Sequence, residues 1–158
     1  MNSSVDQSPK YLRAVIQKDR TGCGIASVAA LAGVSYMEAK NAAKKLGITI
    51  DDPRLWSDTR AVRRLLKHFA IQTAPREKPF RSWRQLPALS LLAIKWHREK
   101  GKPYWHWVVF VRHGEKSAVL DSKKALRRHC RTDFGRIKPK WSIELKAPQA
   151  KPQAPGSD

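Results

Sequence analysis

Cysteine is scarce in this chain, with two among 158 residues. Two are too few for a disulfide framework. The even count permits one pair, Cys23 with Cys130, which is not expected in a cytoplasmic protein. There is no CxxC and no His-rich spacing, so neither a metal nor an organic cofactor is expected. Long apolar runs are also absent. No stretch reaches the length of a membrane span, and Met1 to Lys10 has no apolar signal-peptide core. The expectation is a cytoplasmic protein, or one exported by a route that needs no such signal. Acidic residues are few, 13 against 32 Lys and Arg, and the net charge is +19. Such a field favours acidic partners: nucleic acid, anionic lipid headgroups or an acidic protein. The basic residues concentrate at Arg60–Lys67 and Lys123–Lys140, where the plain reading is a solvated face. No internal repeat is present.

What is there fits one domain. The hydrophobic content of 41% argues against wholesale disorder, and 158 residues suffice to bury a core. Residues 1–10 are polar and expected to be flexible. Residues 147–158, rich in Pro, Ala, Gln and Lys, are expected to be disordered. The folded part is expected over 11–146.

The first half reads as helical. Ile25 to Ala32 is a small apolar stretch, expected to be a helix buried on most sides, with Gly33 as its stop. Ser35-Tyr36-Met37-Glu38 fits a capping box and starts a second helix reaching about Leu46. A third begins near Ser57 or Asp58. Its buried face is Val62, Leu65, Leu66 and Phe69, with Arg60, Arg63, Arg64 and Lys67 outside. The second half reads as strands: Ala88 to Trp96, Tyr104 to Arg112, Ser117 to Asp121, and an edge strand over Ile137 to Leu145. The loop His97–Pro103 joins the first two. Helices first and an antiparallel sheet second is an α+β order.

Cys23 stands at the start of the buried helix, where unpaired N–H groups and partial positive charge favour a thiolate nucleophile. A strand register tests whether it has partners. Pairing across a turn at Gly114-Glu115 sets Arg112 opposite Ser117 and Val108 opposite Asp121. Side chains alternate along a strand, so His106 and Asp121 become diagonal neighbours on one face. A one-residue slip would separate them. His106 then serves as general base for Cys23, and Asp121 orients the imidazole. The oxyanion needs donors, for which the Cys23 N–H and the side-chain amide of Gln17 are the candidates. His68, His97, His113 and His129 show no partner spacing and read as surface residues, and Cys130 reads as incidental. Trp96, Trp105 and Trp107 cluster around the strand hairpin. They read as core and cleft-wall residues, or as an aromatic-lined substrate groove.

The run Gln17 to Gly24, with a glutamine six positions before Cys-Gly and a small-residue helix after it, resembles the papain-like cysteine peptidases. It looks most like the bacteriocin-processing, double-glycine leader peptidases and their stand-alone relatives. His106-Trp107-Val108-Val109-Phe110-Val111 looks like that group's His motif, and Val119-Leu120-Asp121 like its Asp motif. The resemblance spans about Val15 to Ser122. It implies a papain-like fold and a thiol peptidase without metal or cofactor, acting on a peptide or protein. It implies Cys23 as nucleophile, His106 as base, Asp121 as orienter and Gln17 as oxyanion residue, with Gly24 easing the approach of substrate. Two positions depart from the family pattern. Gly22 stands where Asp is common, and Ser122 where Pro is common. There is no Walker-type phosphate loop or transporter region. A thiol deamidase or transferase, as in a toxin or effector, would use the same residues. A basic binding module keeping the fold without the activity is the alternative of a different class.

Overall fold

The computed structural model describes residues 12–146. The expectations for residues 1–10 and 147–158 lie outside them. Four helices come first: α1 (Cys23–Ala32), α2 (Tyr36–Lys45), α3 (Arg54–Ser57) and α4 (Arg60–His68). Seven strands follow: β1 (Gln72–Thr73), β2 (Lys78–Pro79), β3 (Leu89–Glu99), β4 (Lys102–His113), β5 (Lys116–Leu120), β6 (Cys130–Arg131) and β7 (Pro139–Lys146), with a 3₁₀ turn at Phe134–Arg136. They form one antiparallel sheet in the order β1-β7-β3-β4-β5-β6, with β2 also pairing β7. The architecture is α+β, as the residue pattern implied.

Helix α1 is the central element. Nine of its ten residues are buried, which its Ala, Val and Ile composition allows on every side. It ends at Gly33, whose φ of 70° is the left-handed turn that a side chain would oppose, and whose N–H reaches back to Ala29 O. The Ser35 side chain caps α2 by accepting from Glu38 N at 3.1 Å. Helix α4 starts at Arg60, past the expected start near Ser57 or Asp58, and the Asp58 carboxylate accepts from Arg60 N at 2.8 Å, capping the helix from outside. Val62, Leu65 and Leu66 are buried as expected, while Phe69 is only half-buried. Arg63 does not face solvent freely. It is half-buried, bonding Thr59, Thr73, the Ala74 carbonyl and Glu77, and so ties α4 to the segment carrying β1.

The sheet separates two apolar layers. Towards the helices lie Leu91, Ala93, Trp105, Trp107, Val109 and Val111, joined with α1 and α4 in the main core. On the other face Leu92, Ile94, Val108 and Phe110 form a smaller core with Leu86, Val119 and Ile137. The alternation along β4 is what a strand covered on both faces requires. Two expectations change. The β3–β4 connection is a tight hairpin about Lys100-Gly101, not a loop from 97 to 103. Strand β7 is not an edge strand: it pairs β3 on one side and the short β1 and β2 on the other, and Ile143 and Leu145 are buried.

Candidate active site

The segment Gln17–Gly22 delivers Cys23, and its bonds explain how it is held. Gly22 N donates to Asp19 O at 3.0 Å, closing a turn. The Asp19 carboxylate accepts from Tyr36 OH at 2.7 Å and Lys40 Nζ at 3.0 Å, fastening the turn to α2. Burial and the bond to Asp19 push the Tyr36 phenol well above its ordinary pKa, so it remains a donor. Gly22 has no room for a side chain, since a Cβ there would collide with the Tyr36 ring and hydroxyl. That is a packing reason for glycine where Asp is common in the family the motif resembles.

The register places the His and the Asp as the pairing argument required. Arg112 pairs Ser117 and Val109 pairs Leu120 about the turn at Gly114, whose φ is 63°. His106 Nε2 lies 2.7 Å from Asp121 Oδ1. Nε2 is thereby engaged, and Nδ1 is the nitrogen left for the thiol. Trp107 N, the next residue along β4, donates to Cys23 Sγ at 3.4 Å. Burial alone would depress the imidazole. The bond with Asp121 and the electrostatic influence of Cys23 outweigh it and raise His106 to about 9. Asp121 is 1% exposed. Burial would raise its pKa, yet the bonds from His106, the Lys123 N–H and Arg131 lower it to about 2. At neutral pH the pair is therefore an imidazolium on a carboxylate.

Arg131 was not anticipated. Its Nη1 donates to Asp121 Oδ2 at 3.0 Å, while Nη2 and Nε bond Asp133. His129, expected as a surface residue, is half-buried, and its Nδ1 donates to the Asp121 carbonyl at 2.8 Å. Asp121 N in turn donates to His129 O at 2.7 Å. Both residues arrive through β6, a two-residue strand pairing β5 at Val119↔Arg131 and Leu120↔Cys130. Cys130 is exposed, and no disulfide joins it to Cys23.

Gln17 lies beside this centre. Its backbone N donates to Ser122 O at 3.0 Å, and its Oε1 accepts from Ser122 Oγ at 2.8 Å. Its Nε2 donates to the carbonyls of Asp19 and Arg20, each at 3.0 Å. Ser122, standing where the family commonly has Pro, thus fixes the amide's orientation from the Asp121 side. The bond leaves Nε2 as the end directed back at the Cys23 loop.

Two other expectations change. Gly24 is buried, and a Cβ there would meet Val62 Cγ2 at 2.9 Å, Leu55 O at 3.2 Å and Trp107 Cδ1 at 3.2 Å. Its bareness serves the packing of α1 against α4 and β4, not the approach of substrate. Trp107 is fully buried, and its Nε1 donates to Leu55 O at 2.7 Å. It is a core residue rather than a cleft wall. Trp105 differs. With Trp96, Pro103 and Trp141 it lines a groove of about 360 Å³ whose polar lining includes Asp58 and Glu77. Its buried Nε1 has no hydrogen-bond partner. Among the described residues no group of three His, Cys, Asp or Glu is placed to hold a metal, and no helix is long and apolar enough to cross a membrane.

No protein-family model and no curated protein matches this sequence. Solved structures do match its shape. A double glycine motif protease from an AMS/PCAT transporter, crystallised in complex with the leader peptide, aligns with TM-score 0.56 at 14% identity over 89% of this chain and 95% of that one. The peptidase domain of Streptococcus ComA, a bifunctional ABC transporter involved in a quorum sensing pathway, aligns with TM-score 0.50 at 18% identity, covering 88% of this chain and 99% of that domain. The fold is that of papain-like peptidase domains. Within it the likeness is to double-glycine peptidase domains, the group whose motifs the sequence resembles.

Proposed function

We propose that the chain is a papain-like cysteine peptidase acting through a Cys23–His106–Asp121 triad. The observation that carries the reading is the His106–Asp121 bond of 2.7 Å, beside a cysteine at the start of a buried helix, the Sγ of which accepts from the N–H of the next residue, Trp107, at 3.4 Å. In the reaction, Cys23 Sγ has already given its proton to His106 Nδ1, leaving the ring an imidazolium, and the sulfur attacks a substrate carbonyl carbon. The oxyanion is met by the Cys23 N–H and by the Gln17 amide. For Gln17 to donate, one of its bonds to the Asp19 and Arg20 carbonyls gives way as substrate enters. Collapse breaks the C–N bond, and the amine leaves with the proton from His106. Water, deprotonated by the same ring, then attacks the thioester carbonyl. The acid departs, losing its proton to solvent, and the sulfur and the imidazolium return to their starting state. No step needs a metal or cofactor.

The substrate class is peptide, and the groove at Trp105 is the surface offered to it. Aromatic walls suit apolar side chains. The complex of the double glycine motif protease with a leader peptide supports a peptide ligand for this fold.

Iodoacetamide labelling tests the nucleophile. Cys23 is expected to react faster than the exposed Cys130, and His106→Ala to slow Cys23 by about 10²–10⁴, the usual share of a general base. Cys23→Ala is expected to abolish hydrolysis. Equal reactivity of the two thiols, together with hydrolysis that survives Cys23→Ala, overturns the reading. Mass spectrometry of a treated target separates a cut chain from the one-dalton gain of a deamidase.

A further inference from the structure

Ser122 is buried and bonds one residue twice. Its Oγ donates to Gln17 Oε1 at 2.8 Å, and its carbonyl accepts from Gln17 N at 3.0 Å. Gln17 is buried as well, and Nε2 places its two hydrogens on the Asp19 and Arg20 carbonyls, each at 3.0 Å. A side-chain amide carries an acceptor at one end and donors at the other. A single donor on Oε1 therefore decides which end is turned to the loop that delivers Cys23. Among the described residues the Ser122 hydroxyl is that donor. Proline, common at this position in the family that the motif resembles, has no hydroxyl, so this way of orienting the amide belongs to this chain.

The neighbours of Ser122 tie the amide to the rest of the centre. Asp121, just before it, bonds His106 at 2.7 Å, and the Lys123 N–H, just after it, bonds Asp121 Oδ1 at 3.1 Å. One tripeptide thus fixes the imidazole through Asp121 and the amide through Ser122. The opposite end of the amide rests on an anchored turn. The Asp19 carboxylate holds Tyr36 OH and Lys40 Nζ, and the Asp19 carbonyl accepts from Gly22 N at 3.0 Å as well as from Gln17 Nε2. That carbonyl keeps a donor when Gln17 lets go of it. The amide can therefore free one N–H without leaving a carbonyl bare, provided that its other end stays fixed.

We propose that Ser122 is a positioning residue of the oxyanion site. Its hydroxyl is the pivot that keeps the Gln17 N–H end turned to the Cys23 loop while the bond to the Asp19 carbonyl is exchanged for one to the oxyanion. The proposal rests on the peptidase reading of the same centre. It assigns Ser122 to one part of the reaction. Charge gathering on a carbonyl oxygen calls on the amide, and formation of the thiolate does not.

Two thiol reagents test it without a known substrate. p-Nitrophenyl acetate acylates a thiolate through a transition state with charge on the carbonyl oxygen. Iodoacetamide alkylates it by displacing iodide and makes no oxyanion. Both rates are read at Cys23 by mass spectrometry of the modified peptides, with Cys130 as the reference thiol. Gln17→Ala is expected to slow acylation by about 10²–10³, the usual share of one oxyanion donor. Ser122→Ala is expected to slow it about tenfold, as a misplaced donor does, and to leave alkylation unchanged. Ser122→Thr keeps the hydroxyl and is expected to recover most of the acylation rate. In a Gln17→Ala background, Ser122→Ala is expected to add nothing, because the two act as a unit. Unchanged acylation in Ser122→Ala overturns the proposal. Equal slowing of both reagents also overturns it, since Ser122 would then serve only the fold of the Cys23 loop. So do losses that add in the double variant, since Ser122 would then act by a route other than Gln17. Iodoacetamide reacting no faster at Cys23 than at Cys130 in the wild type overturns the peptidase reading instead, so the two failures are distinct.

Discussion

Asp121 is bonded on both of its carboxylate oxygens, and that doubling decides what Arg131 does. A carboxylate held only by His106 Nε2 would be free to rotate. Arg131 on Oδ2 and the Lys123 N–H on Oδ1 leave it one orientation. The guanidinium also opposes the imidazolium through the shared carboxylate. Arg131→Gln removes a charge-assisted hydrogen bond of about 1.5–3 kcal/mol. It is expected to lower kcat by roughly ten- to a hundredfold and to move the His106 titration, followed by NMR, upward from about 9. Arg131→Lys is expected to restore the titration more fully than the rate, since one ammonium cannot hold Asp121 and Asp133 together. A rate loss with an unmoved titration would leave Arg131 a purely structural residue. None of this was legible in the sequence. Cys23, His106 and Asp121 were, because a two-residue turn at Gly114 fixes a register and a register fixes faces. Arg131 reaches the site through an irregular loop and a two-residue strand, for which no period exists to be read. Ser122 was visible as a departure from the family's Pro, but its bond to Gln17 spans 105 positions, and only folding brings the two together.

At the scale of elements, what the sequence shows is what repeats or punctuates. Helices α1 and α2 carry their boundaries in Gly33, Ser35 and Glu38. Strands β3, β4 and β5 carry theirs in β-branched runs and the Gly114 turn. Helix α3 has four residues, too few for a 3.6-residue period to register. Its start depends on the Asp52 carboxylate accepting from Arg54 N at 3.0 Å, a local bond with no hydrophobic signature. Strand β7 looked like an edge because its neighbours β1 and β2 are only two residues long. A tight junction between elements lies at Gly24, where α1 meets α3, α4 and β4. A methyl group there enters space already held by Val62, by the Leu55 carbonyl and by the fixed ring of Trp107. Gly24→Ala is expected to destabilise by about 1–3 kcal/mol, the usual cost of overpacking a core. A lowered urea midpoint with an unchanged slope would show it. A variant as stable as wild type would mean that α1 can shift, and with it Cys23.

For the molecule as a whole, the proton equilibria of the His106–Asp121 pair set a window of stability. Asp121 is depressed from 3.8 to about 2, so its contribution is present above about pH 4 and lost as the pH falls through 2. His106 is raised from 6.5 to about 9, so its contribution is complete below 6.5 and lost as the pH rises through 9. The two overlap fully between about pH 4 and 6.5. In that range the two groups hold the same protons folded and unfolded, so their contribution does not change with pH. The unfolding free energy of wild type over Asp121→Asn is expected to be greatest there and to shrink on both sides, as read from urea curves taken across pH. The surrounding cations act on the same balance. Lys95, Lys123 and Arg131 favour ionised Asp121 and disfavour charged His106, and the +19 chain as a whole adds to both effects. Salt screens exposed Lys95 and Lys123 more than buried contacts. Raising it is therefore expected to shift the window's alkaline edge upward while leaving the acid edge, fixed by the buried bonds of Asp121, nearly in place. An alkaline edge that ignores salt would show that the His106–Asp121 pair is shielded from these lysines.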